Sequence, residues 1–385
     1  MHPTLPGARA PRKRRPARLV RLLAAMLALG LLAAACGGDD DDTADDAAPD
    51  SEDTAADDGG EETADGEDES TDDEAAGSDE VQSITLGYSA WPGWFPLAVT
   101  EQAGIFDEVG LDVDLRFFAD YLASIDAMAA GELDGVTQTL NDTMASVAFG
   151  DEQVIVVVND NSTGNDKIIC DESVTSIEDL EGRTVAAEAG VVDHFLLVQG
   201  LESVGLTEDD IDFRGVLTDA AAAAFADGEF DCVGVFAPFW LTALEREGSQ
   251  ELFSSADFPG LIPDHIVVSR ELVDEDPVAV QKLVDAWYLT LDHIEANPDE
   301  SIEIMAEVAE TTIEEYESFA EGTTLFSAEE AAAAFEEGDD TTSLIYTAEL
   351  INPFLVDSGF TEDEAPLEGL FDSSFTEDYL SRMGE

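Results

Sequence analysis

Residues 84–98 read ITLGYSAWPGWFPLA, and the fold follows from how this stretch is parsed. Residues 84–88 are β-branched or apolar and suit a strand, Trp91 and Trp94 flank a Pro92-Gly93 turn, and Phe95 opens a helix that Gly104 closes. In open α/β sheets a ligand occupies the crevice outside the carboxyl ends of the strands. A strand that runs into an aromatic turn therefore reads as the floor of a binding site.

The same unit recurs downstream. Residues 111–117 (LDVDLRF) alternate as a strand does, Asp120 caps a helix that runs to Ala130, and Gly135 opens a third strand. Residues 141–149 suit a short helix and 153–158 (QVIVVV) a buried strand. Three strand–helix repeats with short loops specify a parallel sheet flanked by helices. A second set follows, with strands at 167–170, 184–187, 211–216 and 231–236 and helices at 192–204, 219–226 and 238–246. After one more strand at 265–269 the pattern is helical: 271–273, 277–296, 299–309, 313–319 and 328–335, with Pro277 and Pro298 near helix starts. A helical tail builds no lobe of its own and must pack on one already made. The reading is an α/β chain of two lobes, each a mostly parallel sheet flanked by helices. Residues 81–160 with 262–385 form lobe 1, residues 161–261 form lobe 2, and the two crossings between them make a hinge over a cleft.

The first 80 residues are of another kind. Residues 9–21 (RAPRKRRPARLVR) are basic, and residues 22–35 are apolar and end in three alanines before Cys36. A membrane span needs about 20 apolar residues, so this shorter run reads as a signal peptide over residues 1–35. Residues 36–80 are Gly, Asp, Glu, Ala, Thr and Ser after the cysteine, with one proline and no aromatic residue, the composition of a disordered, self-repelling tether.

Charge narrows the function further. Of 15 Lys and Arg and 89 Asp and Glu, seven bases precede Cys36 and 22 acids lie in residues 39–80, which leaves 8 bases against 67 acids on the remainder. That balance excludes a nucleic-acid partner. Only Lys167 and Lys282 are lysines after the tether, and a carboxylate excess of this size suits a salt-adapted surface, in which concentrated ions screen the self-repulsion.

Four stretches, ITLGYSAWPGWFPLAVTEQAGIFDEVGLDVDL, AMAAGELDGV, SIEDLEGRTVAA and AFADGEFDCVGVFAPF, together resemble the solute-binding proteins of bacterial ABC importers, in the nitrate, sulfonate, taurine and thiamine-precursor group. The resemblance covers about residues 83–268. It implies a type II periplasmic-binding-protein-like fold and a monomer, without enzyme activity, cofactor or metal, that closes on one small solute and presents it to a membrane permease with its ATPase. The AAAC-Gly run resembles the lipobox of bacterial lipoproteins, with Ala33 where leucine is usual. This implies lipidation of Cys36 and anchorage to the outer face of the cell membrane.

On that fold the strand ends bring Trp91 and Trp94 to the cleft from the first loop and Tyr121 from the second. Asn141 and Asp142 come from the third, Asp160 from the crossing, Glu188, Asp193 and His194 from the helix start after strand 184–187, and Phe236 from the end of the last second-lobe strand. Simpler roles compete: the tryptophans can pack a turn, Asp120, Asn141 and Asp193 stand where N-caps stand, and His194, like His265 and His293, suits a structural part. Oxyanion-binding relatives tend to place Gly, Ser and Thr at the second-lobe helix start, where bare amides receive the anion. Here that turn reads EAGVVDHF, so Glu188 and Asp193 occupy the anion's place. Aromatic faces with carboxylates suit a cation at about 0.5–2 kcal/mol per cation–π contact. The expected solute is a small nitrogen compound, cationic or amine-type, such as guanidinium, urea or a thiamine-like molecule, ahead of nitrate or sulfonate. Alanine at both Trp91 and Trp94 is expected to abolish binding and leave folding intact. Cys170 and Cys232 sit on second-lobe strands and can form a disulfide if those strands are neighbours.

Two other classes compete. A surface sensory module would use the same closing lobes to signal. A thiamine-pyrimidine synthase-like enzyme would need a cysteine cluster, whereas two cysteines remain after Cys36, and the chain carries no G-x-S-x-G, H-E-x-x-H or phosphate loop.

Overall fold

The computed structural model describes residues 82–383. The expected signal peptide, lipidated Cys36 and acidic tether lie outside the described residues.

Eleven strands are described: β1 (Gln82–Ser89), β2 (Leu111–Phe118), β3 (Gly135–Thr139), β4 (Gln153–Ser162), β5 (Lys167–Cys170), β6 (Thr184–Ala187), β7 (Asp212–Gly215), β8 (Cys232–Val235), β9 (Gln250–Ser254), β10 (Pro263–Ser269) and β11 (Thr323–Leu325). They form a six-stranded sheet in the order β11-β4-β10-β3-β1-β2 and a five-stranded sheet in the order β7-β6-β8-β5-β9. Helices flank both.

Each sheet is mixed rather than mostly parallel. Strands β2, β1 and β3 pair in parallel, as the strand–helix repeats require, and so do β7, β6 and β8. The antiparallel pairs arise from chain crossings that local periodicity cannot register. After the second sheet is complete the chain returns as β10 and inserts between β3 and β4, antiparallel to both. Both β4 and β3 are buried along their whole length, which explains the continuous apolar run of QVIVVV. Strand β4 also continues four residues beyond its apolar run, so Asn159 and Asp160 belong to a strand and not to a crossing loop. The short strands β9 and β11 lie at sheet edges and were not legible, since QELFS and TTL carry too little pattern to declare themselves.

Helix ends follow local chemistry. Asp120 accepts the backbone N–H of Ala123 at 3.3 Å and starts helix Tyr121–Ala129. Asn141 and Asp193 are not caps: they lie inside the first turns of helices Leu140–Phe149 and Val192–Ser203, whose N-cap positions are Thr139 and Val191. The longest helix, Pro277–Ala296, starts with Asp276 as cap and proline in its first turn, and it buries Leu283, Val284, Trp287 and Tyr288. It packs on helix Pro96–Gln102, where Thr100 and Thr290 share a hydroxyl hydrogen bond of 2.8 Å. The aromatic turn is thereby seated on the helical tail. The predicted helix 238–246 shortens to Trp240–Ala243, while Ile105–Val109, Leu344–Asp357 and Ser374–Met383 are additional helices.

Cys170 and Cys232 face each other in register on β5 and β8, and they are joined as a disulfide.

Candidate functional site

Four aromatic rings from both sheets make one wall. The Trp91 and Trp94 ring centroids are 6.3 Å apart, Trp94 and Tyr121 5.4 Å, and Tyr121 and Phe236 6.2 Å with the last two edge to face. Trp91 and Trp94 follow β1, Tyr121 follows β2 and Phe236 follows β8, so each ring stands at the carboxyl end of a parallel strand. All four are buried.

Buried carboxylates hold two of these rings. Asp160 Oδ1 accepts the indole N–H of Trp91 at 3.0 Å. Asp142 Oδ2 accepts the Tyr121 hydroxyl at 2.8 Å and also the Thr139 hydroxyl, and its Oδ1 accepts an N–H of Asn141 at 2.7 Å. Tyr121 in turn accepts the backbone N–H of Thr139 at 3.0 Å. Burial pushes Asp142 up to about 7, although the bonds from Thr139 and Tyr121 favour its ionised form. Gly93 makes the turn compatible with Asp160: a Cβ at that position would lie 1.8 Å from Asp160 Oδ2.

Opposite, Thr218 Oγ1 stands 2.7 Å from Glu188 Oε2 and 2.9 Å from Asp193 Oδ2. A hydroxyl has one proton to give, so one of these carboxyls must carry its own. Burial, and then the Asp166 and Glu188 charges, hold Asp193 well above the usual carboxylate range, which favours the proton there. Glu188 Oε2 accepts the Thr218 hydroxyl and also the Thr218 backbone N–H at 3.2 Å.

Between these walls is a partly open cavity of about 10 Å³, room for roughly one water. Trp91, Trp94, Tyr121 and Phe236 line it, together with Asp166 and Asp264. A second hollow of about 100 Å³ shares Tyr121 and Phe236 with it and adds Asp120, Glu188 and Thr218. The lining leaves three carboxylate oxygens without a donor, Asp264 Oδ1 and Oδ2 and Asp166 Oδ2, against one indole N–H, that of Trp94, without an acceptor. Burial raises Asp166 to about 7, and burial with the Asp160 charge as the next cause holds Asp264 well above the usual carboxylate range. The nearest base, Lys167, is bound to Glu251 at 2.5 Å. The site therefore offers acceptors under aromatic faces, and its chemistry suits a ligand that donates.

Residues 77–310 match the NMT1-like family over more than half of the chain. The chain belongs to the NMT1-like family. A candidate binding protein of Brucella abortus is 28% identical to it over 229 residues, 58% of this chain and 70% of that protein. A candidate aliphatic-sulfonates-binding protein of Escherichia coli is 27% identical over 135 residues, 34% of this chain and 42% of that one. The fold of this NMT1-like protein is shared with the alkanesulfonate-binding protein of Xanthomonas axonopodis pv. citri bound to MOPS, at a TM-score of 0.64 and 15% identity over 76% of this chain and 98% of that one. It is shared also with the nitrate-binding protein of Synechocystis PCC 6803, at 0.52 and 16% over 61% and 69%. The periplasmic-binding-protein-like fold expected from the sequence is thus in place.

Within this NMT1-like protein the sequence-selected residues divide. Trp91, Trp94, Tyr121 and Phe236 meet at the cavity, and Glu188 lies in the adjoining hollow. Asp142, Asp160, Asn141 and Asp193 stand behind the lining and fix it through the bonds above. His194 turns elsewhere: its Nδ1 accepts the Gly190 N–H at 3.2 Å, its Nε2 bonds Glu208, and its ring stacks on Phe213 at a centroid distance of 4.2 Å. Burial lowers its pKa, and it is a structural histidine. His265 is likewise structural, fully buried against Thr143 at 2.8 Å.

Asp166, Asp264 and Thr218 were missed. Their signal was in the text of the chain: an aspartate immediately before the buried strand KIIC, another inside the buried run IPDHIVVS, and a threonine opening an alanine-rich helix. A carboxylate in an apolar strand needs a partner or a ligand. One further expectation changes. Trp91 and Trp94 are 4% and 3% exposed, so alanine at both would remove core as well as site, at about 3–5 kcal/mol for each large aromatic. The ring-preserving phenylalanine variants are the informative ones.

Proposed function

We propose that this chain is the extracytoplasmic solute-binding component of an ABC importer, that residues 81–160 with 262–385 and residues 161–261 are its two closing lobes, and that its solute is a small cationic or amine-type nitrogen compound. The family, the fold and the binding role named for the Brucella relative support the first part, and the strands of the two sheets fall on either side of the proposed crossings apart from the last two residues of β4. The disulfide supports an oxidising compartment. Release to a permease, lipid anchorage through Cys36 and a monomeric state complete the reading.

The observation that carries the solute class is the imbalance of open hydrogen-bonding atoms in the cavity, three carboxylate oxygens against one N–H. An oxyanion entering there would find a single open N–H, and it would add its charge to whichever of these acids is ionised, in a medium of low dielectric where like charges cost several kcal/mol. A cation meets acceptors and four aromatic faces. Nitrate, urea and guanidinium test this directly, because all three are planar, three-armed and of four heavy atoms, and they carry charges of about −1, 0 and +1 at neutral pH. The thermal midpoint of the protein should rise with guanidinium at low millimolar concentration, less with urea and not with nitrate. Tight binding of nitrate or of a sulfonate, with no response to guanidinium or other nitrogenous cations, overturns the assignment.

A further inference from the structure

Asp160 and Asp264 lie side by side on β4 and β10, paired in the strand register, and both are fully buried. Asp160 has a donor for one oxygen, the Trp91 indole, whereas no N–H or hydroxyl among the described residues reaches either oxygen of Asp264. Two bare carboxylates cannot be neighbours inside an apolar wall, and the arrangement is stable when one proton joins them. Asp264 is the carrier, because the indole N–H already favours the ionised form of Asp160. Unlike Asp160, Asp264 also lines the cavity. Its carboxyl is the place where the buried acid network opens toward a ligand.

Among the described residues no cation acts on Asp160 or Asp264 to neutralise a second ionisation. From the strand β4 side the facing group is Asp160; from the segment before β5, Asp166; from helix Leu140–Phe149, Asp142. Beyond them Asp193 and Glu188 act on Asp166 and Asp142 from the second sheet. Tyr121 and Tyr316 are neutral phenols raised by burial, and His265, next along β10, is a neutral imidazole bonded to Thr143. Lys167 lies nearest to Asp166 and is bound to Glu251, while Arg246 and Arg382 are engaged with Asp171 and Asp285. The positive charge that would let Asp264 ionise has to arrive with the solute.

We propose that Asp264, supported by Asp166, selects the charge of the solute: a positively charged N–H donor replaces the proton shared by Asp160 and Asp264, so that binding of the cation releases that proton to solvent. The balance is one positive charge in and one out, with no bond made or broken apart from the carboxyl O–H. This rests on the cationic reading of the site and adds a consequence that the reading alone does not require. A neutral isostere would enter without releasing a proton, and acid would expel the cation.

Calorimetric titration of the full chain with guanidinium chloride, in two buffers of different ionisation enthalpy at about pH 7, counts the protons released. About one proton per guanidinium bound is expected for the wild type and none for urea. Affinity for guanidinium should fall at least about tenfold between about pH 8 and pH 5. Asp264→Asn, which mimics the protonated acid in shape, should abolish the release, flatten the pH dependence and weaken guanidinium by at least about tenfold, with Asp166→Asn intermediate. Guanidinium binding without proton release, or equal release by wild type and Asp264→Asn, overturns the proposal. If guanidinium does not bind, the exchange fails along with the solute reading. The ligand-free proteins then still report the held proton: a midpoint that falls from about pH 5 to pH 8 more in the wild type than in Asp264→Asn shows that the solute class was the error, and equal slopes show that Asp264 holds no proton.

Discussion

Trp91 and Asp160, 69 residues apart in the chain, are joined by an indole-to-carboxylate hydrogen bond of 3.0 Å inside the wall of the cavity. The bond fixes a ring that lines the cavity and gives a buried carboxylate its donor. Trp94, three residues on, has an equally buried indole N–H with no acceptor among the described residues. The two tryptophans of one turn therefore do different work, and phenylalanine separates them. Trp91→Phe strands Asp160 and should cost about 1–3 kcal/mol in urea denaturation. Trp94→Phe removes no hydrogen bond and should cost less than Trp91→Phe. It should nonetheless weaken any solute that accepts a hydrogen bond, read by calorimetry.

Gly93 is held to its identity by Asp160. An added methyl at 1.8 Å from Oδ2 must push the carboxylate or the turn aside. Gly93→Ala is expected to lose about 1–3 kcal/mol of stability, as overpacked sites do, and to weaken binding with it. A variant as stable and as tight as wild type would show that the turn has slack.

Buried acids also set how ligand-free stability depends on pH. Asp142 and Asp166 take up protons at about 7 in the folded protein, against an ordinary value of 3.8, so the folded state binds more protons than the unfolded state between those limits. Stability is then greatest near the acid end of that window and declines as pH rises from about 4 through about 7. Capping carboxylates such as Asp179 and Glu315 work oppositely, since their helix-start bonds hold them low and their contribution is lost in stronger acid. Denaturation midpoints measured across the range should peak below neutrality. A peak above pH 7 would mean that these acids are ionised in the folded protein.

Salt should stabilise the fold. With 8 bases against 67 acids outside the first 80 residues, self-repulsion dominates the long-range field, and at 1 M salt it is screened within about 3 Å. The thermal midpoint is expected to climb between dilute buffer and molar KCl. A flat or falling midpoint would remove the salt-adapted reading of the surface.

The cysteines give a chemical check on the topology. Opposed in register on β5 and β8, Cys170 and Cys232 should be unreactive in unfolded, unreduced protein, and reduction should expose two thiols in a thiol titration. Two reactive thiols before reduction, beyond any from Cys36, would mean that the bond is not formed.

Local sequence determined the elements, because the signals are local. The β-branched run before the WPGW turn, the Asp120 cap, the QVIVVV strand and the Asp276-Pro277 helix start each act within a few residues, and each appears in the structure where its chemistry calls for it. The strand ends also placed the four cavity rings. Tertiary structure decided what those residues do. The insertion of β10 between β3 and β4 makes the sheet mixed and sets Asp264 against Asp160, a pairing of residues 104 apart in number that no periodicity encodes. It turned Asp142 and Asp160 into anchors for aromatic rings, carried His194 to Glu208 and Phe213, and left Asp166 and Asp264 open to the cavity. In a chain this acidic, a carboxylate in the text carries little information. Burial and the absence of a donor distinguish the few that matter, and both belong to the folded chain alone.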